Sequence, residues 1–321
     1  MTAVDASSVG AESAAHAVAD LQTERARFRD ELVAAELLIP TSVDGLYGRS
    51  GDFESIIDLI DAKVEAAGAA AHGTSAQVLR FPPVFPVDAF ERTDYLASFP
   101  NLTGAITTFT GDNKAHAQLL AERSAGRDWN HFLSPAGTML VSAACHPSYA
   151  RLTGTLPADG VLMDIFGYCF RHEPAVDPAR MQAFRMHEYV RVGTEQAAID
   201  HRSAWEERGL SVLADLGLEA EAVIANDPFF GRAGRMLAAN QRNENLKTEL
   251  VVRLYGDLDD GTAVVSANNH RDHFGDTFDI RTVDGSTAHS ACVGFGMERI
   301  ALGMIRRYGT RPRTWPAHLR A

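Results

Sequence analysis

The 321-residue sequence predicts an α+β protein whose antiparallel β-sheet is flanked by helices. Strand-like segments succeed one another through the second half of the chain with few helices between them, which suits antiparallel neighbours rather than βαβ crossovers. Short links such as LDDGT at 258–262 and VDGST at 283–287 have the composition of hairpin turns. Apolar residues at helical spacing are confined to the first part of the chain and three later stretches.

In chain order, residues 1–10 are small and polar and are expected to be disordered. Over 14–38, Val18, Leu21, Phe28, Leu32 and Ala35 fall near one helical face, and Ile39–Pro40 ends the helix. Asp52 is placed to cap a second helix with Phe53, Ile56, Ile57, Ile60 and Val64 as its stripe. Gly73 breaks that pattern, and 77–81 reads as a strand ending at Pro82–Pro83. Later strands are expected at 162–171, 184–192, 249–254, 263–267, 277–281 and 290–295, with helices at 195–216, 228–246 and 297–308. No internal repeat or linker interrupts the chain, so a tail and helix over 1–48 precede one catalytic domain over 49–321.

A hydrophobic fraction of 45% is that of an ordinary globular core, and no apolar run reaches transmembrane length. The N-terminus lacks a basic stretch followed by an apolar core, and Cys145, Cys169 and Cys292 are too few and odd in number for a disulfide scaffold. These features point to the cytoplasm and away from the membrane. A net charge of −12 argues against a protein built to grip nucleic acid. The charge is uneven, since after Glu298 the chain carries arginines and no acidic side chain.

Chemistry concentrates in two stretches. In YCFRHEPAVDPARMQAFRMHEYVRVG, from Tyr168 to Gly193, alternation places Cys169, Arg171 and Glu173 on one strand face and Phe184, Met186 and Glu188 on one face of the returning strand. A guanidinium, a carboxylate and a ring on one hairpin suit the phosphate, amino edge and flat face of ATP. The same residues on an ordinary strand would form a surface ion pair and a core aromatic. In SACVGFGMERIALGMIRRY, from Ser290 to Tyr308, Gly294 and Gly296 leave a smooth strand face beside Cys292. Arg299 then falls in the first turn of a helix, where the macrodipole disfavours a cation unless it serves a bound anion.

These stretches resemble motifs of the class II aminoacyl-tRNA synthetases. FRHE at 170–173, followed by Arg180, Phe184 and Glu188 in R-x-x-x-F-x-x-x-E, looks like motif 2 with the spacing of the seryl enzymes. GFGMER at 294–299 looks like motif 3, and the helix from Asp52 to Ala71 with its following strand and Pro82–Pro83 is similar in layout to motif 1, which builds the dimer interface. The resemblance spans about residues 50–310 and implies an antiparallel catalytic sheet, amino-acid adenylation and a homodimer. By position it implies that Arg171 holds the α-phosphate and the substrate carboxylate, Glu173 the adenine amino group and Phe184 the adenine face. Arg299, with Arg180, would hold the γ-phosphate, and Met181 would line the nucleotide site. Lys247, Glu249 and Ser266 match further ATP and magnesium contacts. The acidic residue usual near Ser266 is replaced by Ala263 or Val264, which leaves the Mg2+ arrangement open.

Within that fold Cys145, Glu188 and Cys292 fall at the floor of the active site. Two thiolates and a carboxylate suit a zinc ion with one open position, which would take the unprotonated amine of the substrate. A buried cysteine is otherwise a small hydrophobe, and Cys169 is the alternative ligand by strand parity. The arrangement resembles the zinc-dependent, atypical seryl-tRNA synthetases and, more closely in length, their truncated bacterial relatives, the amino acid:[carrier protein] ligases. That likeness implies glycine or alanine as substrate and a phosphopantetheinylated carrier protein as acceptor. The single short helix over 14–38 stands where a tRNA-gripping enzyme has a long coiled-coil arm, which makes tRNA an unlikely partner. Arg232, Arg235 and Arg242 share a face of the 228–246 helix and are candidates for docking an acidic carrier; the same pattern suits a solvated face. Two other readings stay open on the residues: a zinc-dependent seryl-type synthetase, and an inactive synthetase-like regulator that binds amino acid or nucleotide.

Overall fold

The computed structural model describes residues 6–73, 75–225 and 246–320, with side chains from residue 18 onward. The chain begins with α1 (Ala6–Ala34), a two-stranded ribbon of β1 (Leu38–Pro40) and β2 (Tyr47–Arg49), α2 (Gly51–His72) and β3 (Gln77–Leu79). An excursion follows through β4 (Val84–Pro86), α3 (Val87–Arg92), α4 (Tyr95–Ser98), β5 (Ala105–Phe109), α5 (Asn113–Ser124), β6 (Leu133–Leu140) and the single turn α6 (His146–Tyr149). After β7 (Gly154–Thr155) come the long strands β8 (Val161–Phe170) and β9 (Ala183–Gly193), then α7 (Glu195–Asp215), β10 (Ala220–Ile224), β11 (Lys247–Val252) and β12 (Thr262–Arg271). The chain closes through α8 (His273–Thr277), β13 (Ile280–Arg281), β14 (His289–Gly296) and α9 (Met297–Tyr308).

The expected antiparallel sheet is present. Seven strands lie in the order β10-β11-β12-β14-β9-β8-β3, antiparallel throughout except that β3 runs parallel to β8. One face is covered by helices. Phe28 and Leu32 of α1, Ile56, Ile57 and Ile60 of α2, Trp205 and Leu213 of α7, and Ile300 and Met304 of α9 pack with Tyr189, Leu250, Val293 and Phe295 of the sheet. Each large side chain removed from water this way contributes about 1.5–3 kcal/mol before entropy. The opposite face is apolar at one end, where Met163, Ile165 and Val190 meet Tyr149, Phe274 and Phe278. Strands β8 and β14 are therefore covered on both sides, which accounts for their near-continuous apolar runs. Among the described residues no helix is long and apolar enough to cross a membrane.

Several expectations need correction. The stretch from Ala6 to Gly10 is the start of α1 rather than a disordered tail. That helix stops at Ala34, four residues earlier than expected, because Glu36 adopts a left-handed conformation (φ 57°) that drops Leu37 and Leu38 into the core. The cap of α2 is Ser50, whose Oγ accepts the Phe53 N–H at 3.3 Å; Asp52 is instead a first-turn acid favoured by the helix dipole. The strand expected at 277–281 is shorter: Thr277 is the last residue of the short helix α8, and Phe278 and Asp279 form the turn that follows it. Asp279 (φ 52°) reverses the chain there, and only Ile280 and Arg281 pair, with β7. Strand β8 ends at Phe170, so Arg171 and Glu173 lie on the loop beyond it rather than on a shared strand face. The helix expected at 228–246, with Arg232, Arg235 and Arg242, lies outside the described residues.

Candidate active site and metal centre

Register explains why residues far apart in sequence meet. Cys169 pairs with Phe184, Glu188 with Gly294, Gly294 with Ser266 and Ser266 with Glu249. Residues directly opposite in an antiparallel pair share a face. Phe184, Met186, Glu188, Cys292, Gly294, Ser266, Asn268, Lys247 and Glu249 therefore occupy the face opposite α7 and α9. Gly294 keeps this face low: a Cβ there would come within 2.6 Å of Met186 Cε.

At one end stand the residues expected to take ATP. The Arg171 guanidinium lies 5.4 Å from the centre of the Phe184 ring, and its Nε donates to the Ser142 carbonyl at 3.2 Å. The Arg171 N–H also donates to the Gln182 carbonyl at 2.9 Å, which carries the β8–β9 ladder one step past the strand end. Glu173 and Arg180 form an ion pair across the loop. Arg299 enters from the first turn of α9, with Nε on the Ala179 carbonyl at 2.9 Å and Nη1 on the Ala263 carbonyl at 3.0 Å. Burial holds the Arg299 pKa below its usual value, Arg171 and Arg180 lower it further, and Glu173 and Glu249 oppose them. Cations gathered in this way call for an anionic ligand. Lys247 Nζ meets Glu249 Oε1 at 3.0 Å, and Ser266 Oγ accepts from Asn268 Nδ2 at 3.0 Å. Met181 differs from the expectation: its side chain is buried in the helix-side core, with Sδ against Arg49 Nη2 at 3.5 Å.

At the other end the candidate ligand atoms of Cys145, Glu188 and Cys292 all lie within 4.8 Å of one another, and all three residues are buried. Ligand atoms around a tetrahedral zinc ion are about 3.5 Å apart, so the cluster is close to the required spacing. Cys145 arrives from the turn before α6, Glu188 from β9 and Cys292 from β14. Glu188 Oε1 accepts the Ala144 N–H at 2.8 Å. Burial pushes the Glu188 carboxyl up to about 7, helped by the charge of Cys292. The neighbouring Cys292 thiol, burial and Glu188 hold the Cys145 thiol well above the usual range. The hydrogen bond from Cys145, with His270 and Asn268 beside it, holds the Cys292 thiol well below its usual range. The cluster therefore favours one thiolate while Cys145 and Glu188 resist ionising; a divalent cation would favour all three as anions. Cys169 is buried on the same face, where burial raises its thiol, but it is not a member of the cluster.

Sequence reasoning missed the residues that support these groups. His270 Nε2 lies 3.5 Å and Asn268 Nδ2 3.6 Å from Cys292 Sγ, and His270 Nδ1 lies 3.2 Å from Ser290 Oγ. Asn268 and His270 follow the expected Ser266 at period two along β12, which was a usable signal for them. The Ser142 carbonyl and Ala144 N–H are backbone groups and leave no trace in residue identity.

No protein-family model matches the chain. It is 40% identical over 290 residues to amino acid–[acyl-carrier-protein] ligase 1 of Bradyrhizobium diazoefficiens, covering 90% of this chain and 87% of the relative. Ligase 2 of the same organism is 40% identical over 278 residues, 86% of this chain and 82% of its own length. Among solved structures, Methanopyrus kandleri seryl-tRNA synthetase in complex with an Aquifex aeolicus tRNASec superposes with a TM-score of 0.77. That match has 20% identity and covers 91% of this chain and 59% of the other, a likeness of fold. The sheet thus has the class II synthetase architecture, and identity with the two ligases is sustained along nearly the whole chain: this protein belongs to the amino acid–[acyl-carrier-protein] ligases.

Proposed function

We propose that the protein activates a small amino acid, glycine or alanine, as its adenylate and passes the aminoacyl group to the phosphopantetheine thiol of a carrier protein. The observation that carries this is the pairing, on one sheet face, of a cationic end built from Arg171, Arg180 and Arg299 with a buried Cys145–Glu188–Cys292 end. Adenine would stack on Phe184, with its amino group toward Glu173. Arg171 would neutralise the α-phosphate and align the amino-acid carboxylate, one of whose oxygens attacks phosphorus as the bond to the pyrophosphate oxygen breaks. Arg299 would hold the departing pyrophosphate, with magnesium accompanying the nucleotide near Lys247, Glu249 and Ser266. In the second half-reaction the carrier thiol attacks the acyl carbon, AMP leaves with the bonding electrons, and the thiol proton passes to AMP or solvent.

Cys145, Glu188 and Cys292 fit a zinc ion, which when bound would supply an acceptor for the unprotonated substrate amine. A hydroxy acid would gain little from such a site, so the amine would select the substrate. The choice of glycine or alanine rests on the resemblance to the carrier-protein ligases.

The test is an acceptor assay with the full chain, ATP and each of glycine, alanine and serine. Mass spectrometry of a pantetheinylated acyl carrier protein should show an added aminoacyl mass that hydroxylamine removes. Charging of tRNA with no carrier product would overturn the proposal and favour the seryl-type synthetase.

A further inference from the structure

We infer that Asp177 is a positioning residue for Arg299, and that α1 reaches the nucleotide end of the site through it. The inference deepens the proposed function and rests on Arg299 binding the outer phosphates of ATP.

Asp177 lies in the β8–β9 loop and is buried. Its side chain and backbone grip two successive peptide units. Oδ1 accepts the Ala179 N–H at 2.9 Å, and the Asp177 carbonyl accepts the Arg180 N–H at 3.0 Å. The second unit is the one that carries the Ala179 carbonyl, which accepts Arg299 Nε at 2.9 Å. With Nη1 held by the Ala263 carbonyl, the planar guanidinium has its orientation set, and its Nη2 hydrogens have no protein partner among the described residues. The turn that Asp177 closes therefore aims Arg299 and carries Arg180 with it.

A buried carboxylate needs compensation, and here it comes from outside the loop. The Tyr255 hydroxyl donates to Asp177 Oδ1 at 2.5 Å, and burial together with that carboxylate pushes the phenol pKa up, so it stays a donor. Arg25 of α1 places Nε 2.9 Å from Asp177 Oδ2, a close ion pair whose N–H is not aligned along the contact. The Arg25 guanidinium also lies 5.5 Å from the Tyr255 ring centre. The N-terminal helix is thereby tied by charge to the loop that holds Arg299, over and above the packing of Phe28 and Leu32.

The experiment measures, by calorimetry on the full chain, binding of a non-hydrolysable ATP analogue and of AMP, which lacks the outer phosphates. Asp177→Ala removes the turn and Arg25→Met removes the charge while keeping the stem, so folding of either variant suffices. Each is expected to weaken the ATP analogue roughly tenfold and to leave AMP within about twofold of wild type. Arg299→Lys should show the same selectivity, and combining it with Asp177→Ala should add little, since both remove one interaction. Equal losses for both nucleotides would mean a merely structural role and would overturn the inference. So would wild-type affinity in Asp177→Ala and Arg25→Met while Arg299→Lys alone loses the analogue, an outcome that leaves the ATP site standing. Unchanged analogue binding in Arg299→Lys would instead remove the assigned role of Arg299, and the inference with it.

Discussion

Glu188 receives one backbone N–H and otherwise faces two buried thiols, with no cationic side chain within hydrogen-bonding distance among the described residues. Burying ionised groups without a cation costs several kcal/mol each, so a bound metal would stabilise the fully ionised cluster. Purified protein is expected to carry about one zinc per chain by elemental analysis, and Cys292→Ser or Glu188→Gln to lower affinity tenfold or more. The Ser and Gln variants preserve shape, so circular dichroism should stay near wild type. Undiminished zinc in both would show that the metal lies elsewhere. His270 and Asn268 stand where they can donate to the Cys292 sulfur and temper its charge.

At the scale of elements, the seating of α2 on the sheet depends on one missing methyl group. A Cβ at Gly68 would lie 1.8 Å from Tyr189 Oη. That hydroxyl donates to Asp164 Oδ2 at 3.1 Å, and the Tyr189 ring stacks on Trp205 at 4.4 Å, so it has little room to withdraw. Gly68→Ala would gain about 1 kcal/mol of helix propensity, yet overpacking should cost about 1–3 kcal/mol and prevail. A lower urea midpoint is expected, and a raised one would show that the helix shifts freely. The elements best foretold were those covered on a fixed side. Ile56, Ile57 and Ile60 mark α2 by period, and the apolar run of β8 marks a strand covered on both faces. The segment 277–281 misled because the buried Phe278 and Ile280 alternate as on a strand, while the left-handed Asp279 between them turns the chain and leaves only Ile280 and Arg281 paired. Alternation put Phe184 and Glu188 on one face, but Cys292, on another strand, could be assigned to that face only once register was known. Cys145, in an irregular turn, was legible through its resemblance to a family pattern alone.

For the whole molecule, the sheet has two different ends. Beyond β10 the chain continues into residues outside the described set, whereas β3 closes the other end with no further strand paired to it among the described residues. Val78 on β3 is 66% exposed and Tyr168 on the adjoining β8 is 44% exposed. Single exposed apolar residues are common, but an unpaired strand edge beside them is a surface that proteins usually cover or protect. The helix and strand that build this edge, α2 and β3, are the elements that resemble motif 1, whose role in class II enzymes is dimer formation. The expected outcome is a homodimer paired about the β3 edge, with the sheet faces that carry the two candidate sites left accessible to nucleotide and carrier. Sedimentation velocity should give a dimer at micromolar concentration, and Val78→Asp should shift it toward monomer through desolvated like charges near the two-fold axis. Because Val78 is exposed within the protomer, the substitution should leave its thermal unfolding within about 0.5 kcal/mol of wild type once both are compared as monomers. A wild-type chain that sediments as a monomer would remove the dimer, and a Val78→Asp variant that stays dimeric would move its interface away from β3.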